Sequence, residues 1–350
     1  MLRRRDNDTD GVSMNNITRT SLILRNTAEV FTKEELAELL ANKKKPSVYL
    51  GRAITGPLHV GHLVSLSKLM DLQEAGFSTK VLLADMHAVL DDLKAKWEDL
   101  EIRLEYTKKA IELALNWKEK PMFLTGSDYQ LSRNYQIDIF KLSTLANIKT
   151  ALHAASEVTR MKNPKVSELI YPIMQTLDEE YLHVDMQLGG LDQRHIMAFA
   201  REYLPKIGYE KRVELMMPLM PSLKGPGVKM SSSIAGTNIK VNASEDEIKK
   251  TINAAYCPMG VIEDNPIVSI ATLLIIPTEK KLLIERDNKF GGDVEITSAA
   301  QLENLYSNKV IHPADLKAAV SKYLVAKFAR VRNYFENDKD LLRTLGPSFE

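Results

Sequence analysis

The sequence predicts an α/β fold: a doubly wound parallel sheet with a helical insertion, followed by a mainly α-helical second domain. Three observations predict it. From about residue 47, short β-branched runs alternate with segments of helical spacing, the order that builds a parallel sheet. From about 133 to 170 that alternation gives way to helical periodicity. Beyond about residue 240, capped amphipathic helices take over. The 350 residues leave room for two domains of roughly 150 each.

Taken in order, residues 1–22 are polar, with adjacent basic and acidic runs, and read as a disordered tail. Its Arg3-Arg4-Arg5 triplet fits a solvated tail or an RNA contact. Thr32 with Glu35 forms a capping-box pattern ahead of a helix over 33–43. SVYL (47–50) reads as a buried strand, and Gly51 to Gly56 as a turn. After Pro57, HVGHLVSLSKLMDLQEAG carries apolar residues at helical spacing, with Gly76 as its C-cap. KVLLADMHAVL (80–90) is expected as strand, 97–116 as helix and PMFLTGS (121–127) as strand. After the insertion, LIYPIMQTLDEEYL, VDMQLGG and LDQRHIMAFAREYL resume helix, strand and helix. The glycine-rich loop KGPGVKMSSS closes a first domain expected over 23–240. In the second domain, 241–350, helices are expected at SEDEIKKTINAAY and at 311–334.

Composition narrows the function classes. With 47 basic and 46 acidic side chains, no overall charge advertises a polyanionic partner, although local patches remain open. Cys257 is the only cysteine, so neither an intrachain disulfide nor a cysteine zinc cluster can form, and a reducing compartment fits. The longest apolar run, Ile267 to Ile276, is too short to span a bilayer. The N-terminal basic residues precede no apolar segment, so no secretory signal is read and the cytoplasm is expected.

Two motifs carry the chemistry. Gly51 to Gly56 has the glycine spacing of a phosphate loop, but Pro57 and Leu58 stand where Lys and Ser/Thr are required, so a Walker A reading fails. His59-Val60-Gly61-His62 then opens a helix, where unpaired N–H groups and the positive end of the dipole attract phosphate. Gly61 leaves room for a ring or a phosphate. Taken alone, the same four residues fit a capped turn equally well. Some 170 residues later, Lys229-Met230-Ser231-Ser232-Ser233 follows Gly225, Pro226 and Gly227. A lysine on such a loop can swing to a pyrophosphate, and serine hydroxyls can bind phosphate oxygens. The two motifs together, in this order, point to ATP.

HVGH looks like the HIGH motif, and KMSSS like the KMSKS motif, of class I aminoacyl-tRNA synthetases. VLLADMHAVLDD, GSDYQLSRNY, ELIYPIMQTLDEEYLHVD, LGGLDQRHI and RDNKFGGD resemble the tyrosyl members of archaeal and eukaryotic type, from about residue 23 to the end. The resemblance implies a class I Rossmann-like catalytic domain and a helical anticodon-binding domain. It implies tyrosine, ATP with Mg2+, and tRNA(Tyr) as substrates and partners, a homodimer with the insertion as its contact, and no membrane.

It also implies roles for residues. Tyr49 and Asp178 match positions that meet the substrate phenol. Tyr171, Gln175 and Gln193 match those that hold its amino group and backbone, and His87 and Gln130 lie near the pocket bottom, with Gly51 beside it. His59, Gly61, His62, Gly190, Asp192, Lys229 and Met230 match ATP-binding positions. Among these, His59, His62 and Lys229, with Ser231 and Ser232, would stabilise the transition state. Arg194 resembles a residue at the acceptor end of tRNA. Phe290 and His312-Pro313-Ala314-Asp315 resemble anticodon-reading positions. The resemblance implies no protein ligands for a metal. Tyr171, Gln175 and Asp178 fall on one helical face, which spacing alone assigns either to a site or to solvent. The chain departs from the family at Arg52, where many relatives carry a neutral or aromatic residue; it either touches the ATP phosphates or faces solvent. Rival readings are a tryptophanyl synthetase, a silent RNA-binding paralogue and a nucleotidyltransferase of the same superfamily.

Overall fold

The computed structural model describes residues 16–91, 93–157, 164–228, 230 and 234–349. The elements run α1 (Asn16–Leu24), β1 (Glu29–Phe31), α2 (Lys33–Asn42), β2 (Ser47–Ala53), α3 (Val60–Glu74), β3 (Ser78–Ala84), α4 (Asp85–Leu90), α5 (Leu100–Ala114) and β4 (Met122–Thr125). Then come α6 (Ser127–Gln130), α7 (Arg133–Leu145), α8 (Ile148–Ala155), α9 (Val166–Tyr181), β5 (Met186–Gly190), α10 (Arg194–Tyr203) and β6 (Val213–Met217). The rest comprises α11 (Glu245–Ala254), α12 (Pro266–Ile270), α13 (Ile276–Glu279), β7 (Leu282–Ile284), β8 (Val294–Ile296), α14 (Ala299–Ser307), α15 (Pro313–Asn337) and α16 (Lys339–Leu345).

The main sheet has the order β1-β6-β5-β2-β3-β4. All neighbours run parallel except β1, which is antiparallel to β6. β2 is central: β3 follows on one side, while the chain crosses back to place β5 on the other. That reversal opens a crevice at the carboxyl ends of β2 and β5, where ligands of doubly wound sheets bind. Val48, Val81, Met186 and Leu215 are fully buried on these strands, as expected of strands covered on both faces. The insertion expected over about 133–170 is helical in its described residues: it holds α7, α8 and the start of α9.

Four differences from the sequence expectations have identifiable causes. The tail expected over 1–22 is helical from Asn16; its first fifteen residues lie outside the described ones. Ile23 is buried, Arg19 Nε donates to the Ala75 carbonyl at 2.9 Å, and Lys68 Nζ donates to the Leu22 carbonyl at 2.9 Å. Those partners lie some 46 to 56 residues away, so local polarity does not reveal them. KVLLADMHAVL is half strand and half helix, because pairing with β2 ends at Ala84 and Asp85 turns to accept from the Ser127 N–H at 3.0 Å. β1 and β6 were not anticipated. Finally, the C-terminal part carries the antiparallel pair β7–β8 among its helices.

The core does not break near residue 240. Tyr106 of α5 packs against Phe335 and Phe349, with ring centroids 5.0 and 4.9 Å apart. The apolar run Ile267 to Ile276 is α12 and a π turn leading into α13, and most of it is buried. Among the described residues, no helix is long and apolar enough to cross a membrane.

Candidate active site

A cavity of about 300 Å³ occupies the crevice between β2 and β5. Tyr49, Gly51, His87, Tyr171, Gln175, Asp178 and Gln193 line it, together with Gly61, His62, Gly190 and Asp192. Sequence positions 49 to 193 are thus brought to one place.

Asp178 anchors the bottom. Its Oδ1 accepts three hydrogen bonds, each 2.8 Å, from the Tyr129 hydroxyl, Gln130 Nε2 and the Tyr135 hydroxyl. Its Oδ2 has no hydrogen-bond partner, although the residue is 1% exposed. An unsatisfied buried carboxylate oxygen on a cavity wall calls for a donor from the ligand. Burial raises the Asp178 carboxyl above its usual range, while His87 and the three donors pull it down. His87 Nε2 stands 3.7 Å from Oδ2, and its ring meets Tyr171 edge-on at 4.7 Å. Burial lowers the His87 imidazole, against the pull of Asp178, Asp85 and Asp91. Tyr49, fully enclosed on β2, directs its hydroxyl to the Gln175 carbonyl at 3.5 Å, and Gln175 Nε2 donates to Gln193 Oε1 at 3.0 Å. Tyr171, Gln175 and Asp178 therefore present an inward polar face of α9, not a solvent face. Gln130 does not line the cavity; it reaches it through Asp178.

The HVGH turn forms the other end. β2 leads into it, and Val60 N–H donates to the Ile239 carbonyl at 2.9 Å while Val241 N–H donates to Leu58 at 3.0 Å. The turn is thereby fixed to the segment that follows KMSSS. The His59 N–H donates to His62 Nδ1 at 3.1 Å, which makes that nitrogen the acceptor and leaves His62 Nε2 to carry the proton. The two rings stack at 3.5 Å. Burial first, and Arg52 second, lower His59 to about 3 and hold His62 well below the usual imidazole value. A side-chain carbon added at Gly61 would lie 2.6 Å from Met230 Sδ and 3.2 Å from the His59 ring. Met230 thus sits directly over the HVGH glycine. Lys229, Ser231 and Ser232 lie outside the described residues.

A family model described as tRNA synthetases class I (W and Y) matches residues 41–329. The chain belongs to this synthetase family. Tyrosine–tRNA ligase of Archaeoglobus fulgidus is 46% identical over 305 residues, covering 87% of this chain and 93% of that one. The cytoplasmic tyrosine–tRNA ligase of Danio rerio is 40% identical over 90% of this chain and 60% of its own length. The structure of the Archaeoglobus fulgidus tyrosyl-tRNA synthetase complexed with L-tyrosine superposes with a TM-score of 0.86 at 43% identity, covering 90% of this chain and 98% of that one.

Elsewhere in this synthetase, Phe290 is 63% exposed beneath the Lys289 ammonium, so it is not a core residue. Arg286 joins its loop to the connection between α14 and α15, donating to the Gly292 and Val310 carbonyls at 2.9 and 2.7 Å. His312 caps α15, its Nδ1 accepting from Ala314 N–H at 3.1 Å, with Pro313 and Asp315 in the first turn. Arg194 forms a fork with Glu29, at 2.7 and 3.0 Å, and lies over the Phe31 ring. Sequence reasoning missed Tyr129, Tyr135 and Gln187. Gln187 lines the cavity with its Oε1 unpartnered, and a lone glutamine in the apolar strand MQLGG was the available signal.

Proposed function

We propose that the chain joins L-tyrosine to tRNA(Tyr) in two steps. In the first, a tyrosine carboxylate oxygen attacks the α-phosphorus of ATP; a P–O bond forms, the bond to the β-phosphate bridge breaks, and pyrophosphate leaves. In the second, a ribose hydroxyl of the terminal adenosine attacks the adenylate carbonyl, and AMP departs. Neither step needs a side-chain nucleophile; positioning and charge stabilisation suffice.

The observation that carries the reading is the orphaned Asp178 Oδ2. A phenol hydroxyl is the donor that fits it, with Tyr49 closing the strand side and His87 beside it. Gln130 holds the carboxylate in place, while Tyr171, Gln175 and Gln193, with Gly51 below, take the amino group and backbone. An indole places no hydroxyl there, which disfavours the tryptophanyl alternative. His59, Gly61, His62, Gly190, Asp192 and Met230 would hold ATP, and Lys229, Ser231 and Ser232 the departing pyrophosphate. Among the described residues, no three His, Cys, Asp or Glu side chains converge as a metal cage. A magnesium ion would therefore ride on phosphate and water, and we assign no step to it.

For tRNA we propose residues 241–350 as the anticodon-reading part, with exposed Phe290 stacking a base and Asp315 accepting from a base edge near His312 and Pro313. Arg194 would meet the acceptor end by exchanging Glu29 for phosphate. We also propose a homodimer through the insertion, whose Phe140 and Ile148 are 66% and 68% exposed. A cytoplasmic location goes with this role.

The test is amino-acid-dependent ATP–pyrophosphate exchange without tRNA, using tyrosine, tryptophan and phenylalanine. Exchange with tyrosine alone is expected. Exchange with tryptophan alone transfers the pocket to an indole, and none with a folded chain favours a silent RNA-binding paralogue.

A further inference from the structure

Arg52 is the last residue but one of β2, between the tyrosine end of the cavity and the HVGH turn. It is the only arginine or lysine among the described residues that line the cavity. Its Nε is sealed from solvent and has no hydrogen-bond partner. Among the described residues, no carboxylate oxygen lies within 4.0 Å of its guanidinium. Asp91, on the same cavity, is paired with Lys94 at 2.7 Å, and the Oδ1 of Asp178 is taken by three donors. A guanidinium on the cavity wall, with its Nε sealed and unpartnered and no carboxylate of the described residues paired to it, is placed to take the negative charge of a ligand.

The histidines do not compete for that anion as cations. His62 accepts the His59 N–H at Nδ1, and the stacked rings disfavour two adjacent positive charges. Both therefore act as neutral donors. Burial lowers Arg52 itself only to about 10, so it remains a cation at neutral pH.

We infer that Arg52 binds the triphosphate of ATP beside the α-phosphate and supplies the positive charge that the two histidines do not carry. Its planar fork suits two phosphate oxygens, and its place next to Gly51 is where carboxylate and α-phosphorus must meet. The inference rests on the function proposed above and adds a residue outside both signature motifs.

The experiment compares full-length wild type, Arg52→Gln and Arg52→Lys in tyrosine-dependent ATP–pyrophosphate exchange, with KM determined for each substrate. Tyrosine binding is measured calorimetrically without ATP. Arg52→Gln is expected to lower kcat/KM for ATP by about 10²–10³, the usual cost of one lost charge-stabilising donor. Tyrosine affinity should stay within about twofold, and Arg52→Lys should recover part of the loss. Exchange by Arg52→Gln within about threefold of wild type overturns the inference. So does a parallel fall in tyrosine affinity, which places Arg52 on the amino-acid carboxylate or in the scaffold. Should Arg52→Gln not fold, Arg52→Lys decides: a KM for ATP raised about tenfold at unchanged tyrosine affinity supports the inference, and an unchanged KM overturns it. Failure of the wild type to exchange with tyrosine overturns the proposed function instead.

Discussion

Under the function we propose, discrimination of the amino acid turns on the two oxygens of Asp178. Asp178 Oδ1 is saturated and Oδ2 is open, so the carboxylate is preorganised before any substrate arrives. Hydrogen bonds to charged groups contribute about 1.5–3 kcal/mol, roughly tenfold to hundredfold in rate or affinity. Asp178→Ala should lower the ratio of tyrosine to phenylalanine exchange by that factor, with circular dichroism confirming the fold. A second residue-scale prediction concerns Glu179 of α9 and Glu214 of β6. Both are fully buried and interact with each other, and none of their carboxylate oxygens has a well-formed hydrogen bond. Burial raises both above the ordinary value of 4.5, Glu214 further through the charge of Glu179, while Arg201 and Arg212 oppose the rise. A raised carboxyl favours the fold while protonated, so this contribution is complete below 4.5 and is lost as pH climbs through the raised values. Glu214→Gln keeps a donor for Glu179 and removes one acid. Thermal melts from about pH 5 to about pH 9 should show a smaller fall in Tm for the variant than for wild type.

Between elements, the decisive contact is the one joining the start of α3 to the segment after β6. Two backbone hydrogen bonds and the seat of Met230 on Gly61 hold the two motifs together. Gly61→Ala has to displace Met230 or the His59 ring. It should slow tyrosine-dependent exchange and raise KM for ATP, while calorimetry shows unchanged tyrosine binding. The α9 helix shows the same logic. Its Pro172 is tolerated inside the helix, and the polar face after it is turned inward because Tyr129, Gln130 and Tyr135 supply partners there. Spacing identified that face as polar, but its direction depended on α6 and α7.

Across the whole molecule, one apolar core runs through both sequence halves. α5 carries Tyr106 to Phe335 and Phe349, and Arg332 reaches Glu245 at 3.2 Å. Differential scanning calorimetry should therefore give one cooperative transition, and a chain truncated after residue 240 should aggregate because Tyr106 and its neighbours lose their cover. Assembly is tested at the same scale. Sedimentation should report a dimer for wild type and a monomer for Phe140→Asp, which places a charge on the exposed insertion face.

Sequence alone determined the alternation that builds the central parallel strands and the helical insertion, because each depends on local periodicity, and the resemblance of uninterrupted strings supplied the candidate site residues other than Tyr129, Tyr135 and Gln187. β2, α3 and α9 carry HVGH, Tyr49 and Asp178 wherever the rest of the chain goes. Tertiary structure decided what local patterns do not encode. The helix at Asn16–Leu24 forms against residues 68 and 75, and β1 exists only as the antiparallel edge of β6. The hydrogen bonds on Asp178 come from residues 43 to 49 positions away, and the exposure of Phe290 depends on how its loop is joined to Val310. Whether Arg52 faced solvent or the cavity was open in the sequence. Its neighbours, Tyr106, Tyr171 and the HVGH turn, come from three other elements and meet only when the sheet closes. Burial, counter-charge and unsatisfied valence are properties of an assembled environment, and only the folded chain assembles it.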